Sequence, residues 1–363
     1  MTTPRGHTAS ACRPARAGMI LPLVLLVMLL VAVMTLALQS AAWRAARGAR
    51  THWDLQRALY AADLGVLRIV GTWAPESVAT STIGLPRHYD HTGPGGWQTR
   101  VSVTRTAPLT AAVHAVSTYS RSRGAPVAFG QLGDAGGVRR EVLRIVRLAP
   151  PDIPMRAAAT MLGTVVWDSA GVDGRVVASA IGDDCGPLRD TTTADAIVAP
   201  AQLAGAPPTV IGAHVTPPAL LITSLQQRFD QAWPVLMARA HAVDATLTPS
   251  VPRGPPWRAT VMTGAGAVTV TDTVAYVGAL AIDGDLVVRG ALHVSGALIV
   301  RGAVDASAGQ LQVDGTLVVR DLHARNSPLS AATRIRYAPC VVGRAMTALA
   351  LPTNAPFGIW NSP

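Results

Sequence analysis

The chain has 363 residues, 49% of them hydrophobic but only 4% aromatic and 14% charged, with a formal net charge of +10. That length allows two folded units besides a membrane segment, and the dominance of Val, Ala, Leu, Gly and Thr suits β structure with tight turns. Every one of the 31 basic residues is arginine. With no run of five basic residues and no interleaved aromatics, the net charge as a whole reads as ordinary surface and does not point to nucleic acid.

Residues 1–18 are an Arg-bearing leader ending in Gly18, and Met19 to Leu38 follow as 20 apolar or uncharged residues. At 1.5 Å per residue such a run crosses a bilayer once. Three readings compete: a cleaved secretory signal, a permanent anchor, and a prepilin-type assembly helix. The run exceeds the ordinary length of a secretory apolar core, which weakens the first. Arg5, Arg13 and Arg16 before the run balance Arg44, Arg47 and Arg50 after it, so charge does not set the orientation. In a helix starting at Met19, Pro22 lies in the first turn, where the backbone N–H has no intrahelical partner to lose. From Gln39 to about Val70 there is no proline, and Ala46, Trp53, Tyr60 and Leu67 recur at sevens among arginines. This is an amphipathic continuation of the same helix, with Trp53 and Tyr60 expected to touch a sheet.

The segment Arg16-Ala17-Gly18-Met19, the apolar run, and then Leu59-Tyr60-Ala61-Ala62-Asp63-Leu64-Gly65 resemble the PilX-type N-terminal region of type IV pilus assembly proteins, over roughly residues 13–72. The resemblance implies cutting by prepilin peptidase between Gly18 and Met19, a cytoplasmic leader, and inner-membrane insertion followed by helix packing. Leu23 stands at the fifth mature position, where pilins usually carry Glu. Removal of the leader leaves Cys185 and Cys340 as an even pair on the oxidising side of the membrane. A disulfide between them is expected; it closes a loop of about 155 residues and is worth a few kcal/mol in the chain-entropy model.

Residues 73–96 read as a loop punctuated by Gly and Pro. Within 73–150, three alternating segments, Trp97–Thr106, Ala111–Tyr119 and Val138–Leu148, read as an antiparallel meander packed on the long helix. In the last of these Val142, Ile145 and Leu148 are the apolar positions. Residues 151–218 carry β-like text up to about 182 and then a loop-rich insertion. A helix is expected over 219–242, opened by the capping-box form of Ser224-Leu225-Gln226-Gln227, with Leu225, Phe229, Trp233 and Met237 on one face and Pro234 kinking it.

Over 256–325, Gly266, Gly278, Gly284, Gly290, Gly296 and Gly302 keep a period of six, with Asp272 in the missing slot, then slip by one residue to Gly309 and Gly315. Leu280/Ile282, Leu286/Val288, Leu292/Val294 and Leu298/Val300 alternate within the hexads. Units this short cannot bury a face alone and must stack, which predicts a β-solenoid with glycine at its corners. Residues 326–363 read as a C-terminal tail. Its stretch Ile335–Cys340 is similar to the endings that follow such solenoids in long PilX-like proteins.

No nucleophile elbow, P-loop, zinc motif or dinucleotide fingerprint is present. His88-Tyr89-Asp90-His91 and Asp183-Asp184 read as solvated loop residues, and no metal or cofactor is implied. The fold expected is α+β: a membrane-spanning helix, a pilin-like antiparallel sheet and a Gly-periodic solenoid. The function expected is non-enzymatic, in the assembly of a type IV pilus or pseudopilus. Its partners would be prepilin peptidase, other pilins and the assembly platform, at the bacterial inner membrane with the β domain outside the cytoplasm. The alternative is an anchored β-helix enzyme or adhesin acting on envelope polysaccharide. For the enzyme, Asp168, Asp173, Asp283 and Asp285 would have to gather in one groove.

Overall fold

The computed structural model describes residues 20–93, 97–119, 138–155, 157–174, 195–199, 203–206, 208–244, 256–264, 266–322 and 327–353. The leader, Gly18, Met19, Asp183, Asp184 and Cys185 lie outside the described residues.

One helix, α1 (Ile20–Gly71), runs unbroken for 52 residues, about 78 Å. Its C-terminal part lies on an antiparallel sheet of β1 (Pro86–Thr92), β2 (Trp97–Ala107), β3 (Thr110–Tyr119) and β4 (Val138–Ala149). The stretch expected to be a loop over 73–96 instead holds α2 (Pro75–Ala79), which opens on proline, and β1 at the sheet edge. Alternation in β2 is as the sequence indicates: Thr99, Val101 and Val103 face the helix. In β4 the buried set is Val142, Val146 and Leu148, whereas Ile145 is half exposed, because strand periodicity is two and not three.

The solenoid is parallel throughout and makes about four turns. Strands of the region before it come first in the chain: β5 (Ala157–Met161), β6 (Val165–Asp168), β7 (Gly171–Asp173), β8 (Asp195–Val198), β9 (Leu203–Ala206), β10 (Thr209–Ile211) and β11 (Ala213–Val215). Then α2's larger counterpart, α3 (Ala219–Arg239), leads to β12 (His241–Asp244). The repeat follows as β13 (Arg258–Thr263), β14 (Val268–Val270), β15 (Thr273–Asp283), β16 (Leu286–Val288), β17 (Ala291–Val300), β18 (Val304–Asp305) and β19 (Gln310–Val319). Thr273 pairs with Ala291 and Val268 with Leu286, so one coil takes three hexads. The one-residue slip before Gly309 shows in the next step, where Ala291 pairs with Gln310.

Leu280, Leu298 and Leu317 stack inside on one row and Ile282, Val300 and Val319 on the next, all buried. Gly278, Gly296 and Gly315 stack at a corner within long strands, with φ of 137°, 141° and 151°. A Cβ on Gly315 would lie 1.7 Å from the carbonyl oxygen of Gly296. Only glycine accepts both that φ and that approach.

The residues after the repeat form β20 (Ser327–Leu329), β21 (Arg334–Tyr337), α4 (Pro339–Thr347) and β22 (Leu351–Thr353). The β-like text expected before about residue 182 forms β5, β6 and β7, while residues 175–194, where the expected insertion begins, lie outside the described residues. β5 pairs with β19, β6 with β20 and β7 with β21, so this earlier part of the chain is stacked onto the last coil of the repeat. Of the segment expected to be a tail, residues 327–353 are built in, and β22 adds beside β4 at the edge of the first sheet.

The outer rows of the corner-to-corner face are alanine and aliphatic residues: Ala259, Ala279 and Ala297 in one, Val261, Ala281, Ile299 and Val318 in the other. α3 and α4 cover them, so this face is buried on both sides. Phe229 and Trp233 are buried, stacked at 5.5 Å, with Leu225 and Met237 packed beside them. The helix begins at Ala219, so Ser224 is an interior residue and caps nothing, and Pro234 is accommodated within it.

Sheet and solenoid meet through arginines. Arg105 and Arg344, both buried, each donate to the carbonyl of Ala79 at the end of α2, 3.3 Å away in both cases. The Arg344 guanidinium also lies 4.2 Å over the Trp257 ring. Arg239 donates to Leu349 O and Ala149 O, and burial lowers its pKa.

Tyr276 gives a pH test of this packing. Its hydroxyl donates to Arg258 O at 2.9 Å, and burial pushes its pKa up to about 12. Below pH 10 the phenol is neutral in both folded and unfolded chains. Above that the unfolded chain ionises first, so stability falls between about pH 10 and pH 12, by about 2–3 kcal/mol in total. Denaturant midpoints taken from pH 9 to 12 should lose that component in Tyr276→Phe.

Candidate functional site: the long helix and the surface it leaves uncovered

Among the described residues, nothing covers the apolar half of α1. Leu21 to Leu38 are all exposed, and the helix is long and apolar enough to cross a membrane. Pro22 falls in the first turn, in keeping with its lack of an N–H to donate. Leu23 is 65% exposed, an apolar side chain among apolar neighbours, and Leu38 closes the run.

Beyond Trp43 the helix becomes two-faced. Ala58, Ala62, Gly65 and Val66 are buried against the sheet, with Leu59 and Ile69 partly so. Small residues sit where the approach is closest: a Cβ on Gly65 would meet Thr99 Cγ2 at 2.8 Å. Asp63, between Ala62 and Leu64, forms an ion pair with Arg144 of β4 at 2.5 Å and fixes the helix against the strand. Ala62, Asp63 and Gly65 of the Ala-Ala-Asp-Leu-Gly segment thus dock α1 on its own sheet.

Trp53 and Tyr60 do not make that contact. They are 66% and 70% exposed, and with Leu64 and Leu67 they form a stripe on the opposite face of the helix. The heptad spacing read from the sequence is real but marks the uncovered side. A surface helix with two apolar faces has one face left to cover.

The solenoid carries a groove of about 810 Å³ along one corner, lined by Asp168, Asp272, Arg289, Ser307, Gln310 and Ser330 among others. Gly290 also lines it, and a Cβ there would lie 2.4 Å from Thr271 O of the adjacent coil. Of the four carboxylates that an enzyme reading needs together, only Asp168 lines it. Asp283 is paired with Arg301, Asp285 accepts the N–H of Ala303, and Asp173 stands opposite Arg336 in the strand register. A separate chain of polar contacts on the outer surface links His293, Asp314 and Arg336.

His88, Tyr89, Asp90 and His91 lie on strand β1 and not in a loop. Arg100 holds Asp90 in a two-point ion pair that keeps its carboxyl below the ordinary range. Arg68 Nη1 lies 3.0 Å from Nε2 of His91. Among the described residues no three His, Cys, Asp or Glu side chains come together to hold a metal ion. Cys340 lies in the first turn of α4 and is not a free thiol, while Cys185 lies outside the described residues. No family model, curated protein or solved structure matches the chain.

Proposed function

We propose that this chain is a non-enzymatic structural component of a type IV pilus or pseudopilus assembly system, of the PilX-like kind. In this reading α1 holds it in the bacterial inner membrane, with the N-terminus cytoplasmic and the sheet and solenoid on the far side. The observation that carries the reading is the division of α1: a bare apolar half of membrane length, then a half seated on an antiparallel sheet with a second apolar stripe facing out. That stripe suits packing against the helices of other pilins, and Gly18-Met19 is the processing site for prepilin peptidase. A Cys185–Cys340 disulfide would tie α4 to the stacked strands outside the cytoplasm.

N-terminal sequencing of the protein from cells with and without prepilin peptidase tests the proposal. A mature start at Met19 is expected only when the peptidase is present, and Gly18→Arg should leave the chain uncut. An intact Met1 start in both strains would sink the pilin-type reading.

The groove favours a second reading, a membrane-anchored enzyme or adhesin for an envelope polysaccharide, because Asp168 and Asp272 both line it. Retention on immobilised envelope polysaccharide that disappears in a D168N/D272N variant would support this alternative.

A further inference from the structure

The turns of α1 just beyond the apolar run are purely basic. Between Met19 and Trp53 there is no Asp or Glu, and Arg44, Arg47 and Arg50 fall within this stretch beside Trp43. All four side chains are exposed. The first acid is Asp54, one helical turn from Arg50 and Arg57, where i,i+4 and i,i+3 neighbours meet. Arg44 and Arg47 have no carboxylate within four residues on either side.

Geometry places these two charges at a particular depth. Side chains on a helix lean toward its N-terminus, and here that is toward the apolar run. Arg44 shows it: its Nε donates to Ser40 O and its Nη2 to Ser40 Oγ, both at 3.3 Å. The Arg44 guanidinium therefore sits at the level of Ser40, about 3 Å beyond Leu38 along the axis. With the same lean Arg47 reaches the level of Trp43, about 8 Å out, and Arg50 that of Ala46, about 12 Å out. The headgroup layer is about 5–8 Å thick on each side of the hydrocarbon. Arg44 and Arg47 thus fall in the phosphate zone, with the Trp43 ring at the level that tryptophan favours, and Arg50 lies beyond it.

We propose that Arg44 and Arg47 form a binding site for the phosphate groups of anionic lipids in the leaflet facing the β domain. The proposal rests on the reading of Met19–Leu38 as membrane-embedded. Charge complementarity selects the occupant, since two uncompensated guanidiniums in the headgroup layer meet a surface of phosphates that each can bind through paired N–H donors. The arginines do not help orientation, because Arg5, Arg13 and Arg16 of the leader balance Arg44, Arg47 and Arg50; a headgroup site gives Arg44 and Arg47 a role that topology does not. Bound lipid would fix the depth of α1 and the height of the β domain above the membrane.

The test uses the full chain in vesicles of equal parts phosphatidylcholine and phosphatidylglycerol. Resistance to carbonate extraction reports membrane insertion, and mass spectrometry of the lipids retained after mild solubilisation reports their enrichment at the protein. The wild type should resist carbonate and retain phosphatidylglycerol about 25-fold over phosphatidylcholine, about fivefold for each of the two arginines near an anionic surface. R44Q/R47Q should remain inserted and fall to parity, while R57Q keeps the wild-type ratio. Equal enrichment in R44Q/R47Q and wild type, both carbonate-resistant, would overturn the lipid site and leave the anchor standing. Release of the wild type by carbonate would overturn the anchor and the lipid site with it.

Discussion

Gly315→Ala should unfold the solenoid or destabilise it by about 4 kcal/mol or more, the range reserved for strained backbone and core disruption. The residue adopts φ 151° in the middle of β19, and its added Cβ would stand 1.7 Å from Gly296 O. Nothing flexible lies in the way, since the obstacle is the backbone of the neighbouring coil. Relief requires parting two coils, which breaks the ladder on both sides of Gly315. Gly266→Ala is the control. It belongs to the same period of six, yet a Cβ there meets nothing within 4 Å and its φ is unremarkable. Its effect should stay within about 0.5 kcal/mol. Denaturant unfolding of detergent-solubilised protein, followed by circular dichroism, separates the two; equal effects would mean that the corner is not closed in this way.

Phe229→Ala should cost about 3–5 kcal/mol. The ring is fully buried, stacked on Trp233, and faces outer rows made largely of alanine. Those small side chains cannot swing into the space that the ring leaves, so the cavity persists. The same truncation at Val235, on the half-exposed side of α3, should cost under about 1 kcal/mol. Urea unfolding of the two variants gives the comparison directly, and a Phe229→Ala cost no larger than that at Val235 would refute the packing described for α3.

Much of this architecture is legible in the sequence where the signal is local. The apolar run, the alternation of Thr99, Val101 and Val103, and the hexads with Leu280/Ile282 and their successors each follow from a period. Trp53 and Tyr60 mislead because large apolar residues at sevens suggest a buried face. A helix lying on a sheet with Gly65 at its closest approach needs small residues instead, and Ala58, Ala62 and Gly65 are the quieter signal. The double burial of one solenoid face could have been read from Gly278-Ala279-Leu280-Ala281-Ile282 and Ala297-Leu298-Ile299-Val300, where apolar text does not alternate. Residues 157–215 hide their role because they have no period of their own. Their register comes from partners far along the chain, such as Leu317 opposite Ala159, and no local pattern records such a partner. The groove was invisible for the same reason: Asp168 reaches it from another part of the chain.

The stacking of β5, β6 and β7 onto β19, β20 and β21 also sets an order of events during biogenesis. A chain that emerges N-terminus first makes α1 and the first strands early and can pair β5, β6 and β7 with β8, β9 and β10, but the second set of neighbours of Ala157–Asp173 arrives only with residues 317–336. The first sheet waits longer, for Leu351–Thr353 to close beside β4. Pairings this distant are slow to form, because the intervening loop must close before its contacts stabilise anything. The second edges of β5, β6 and β7 therefore stay open until those residues are made, and exposed edges of that kind invite wrong association. Closure of the stack onto the repeat is thus a late step, made as residues 317–336 emerge.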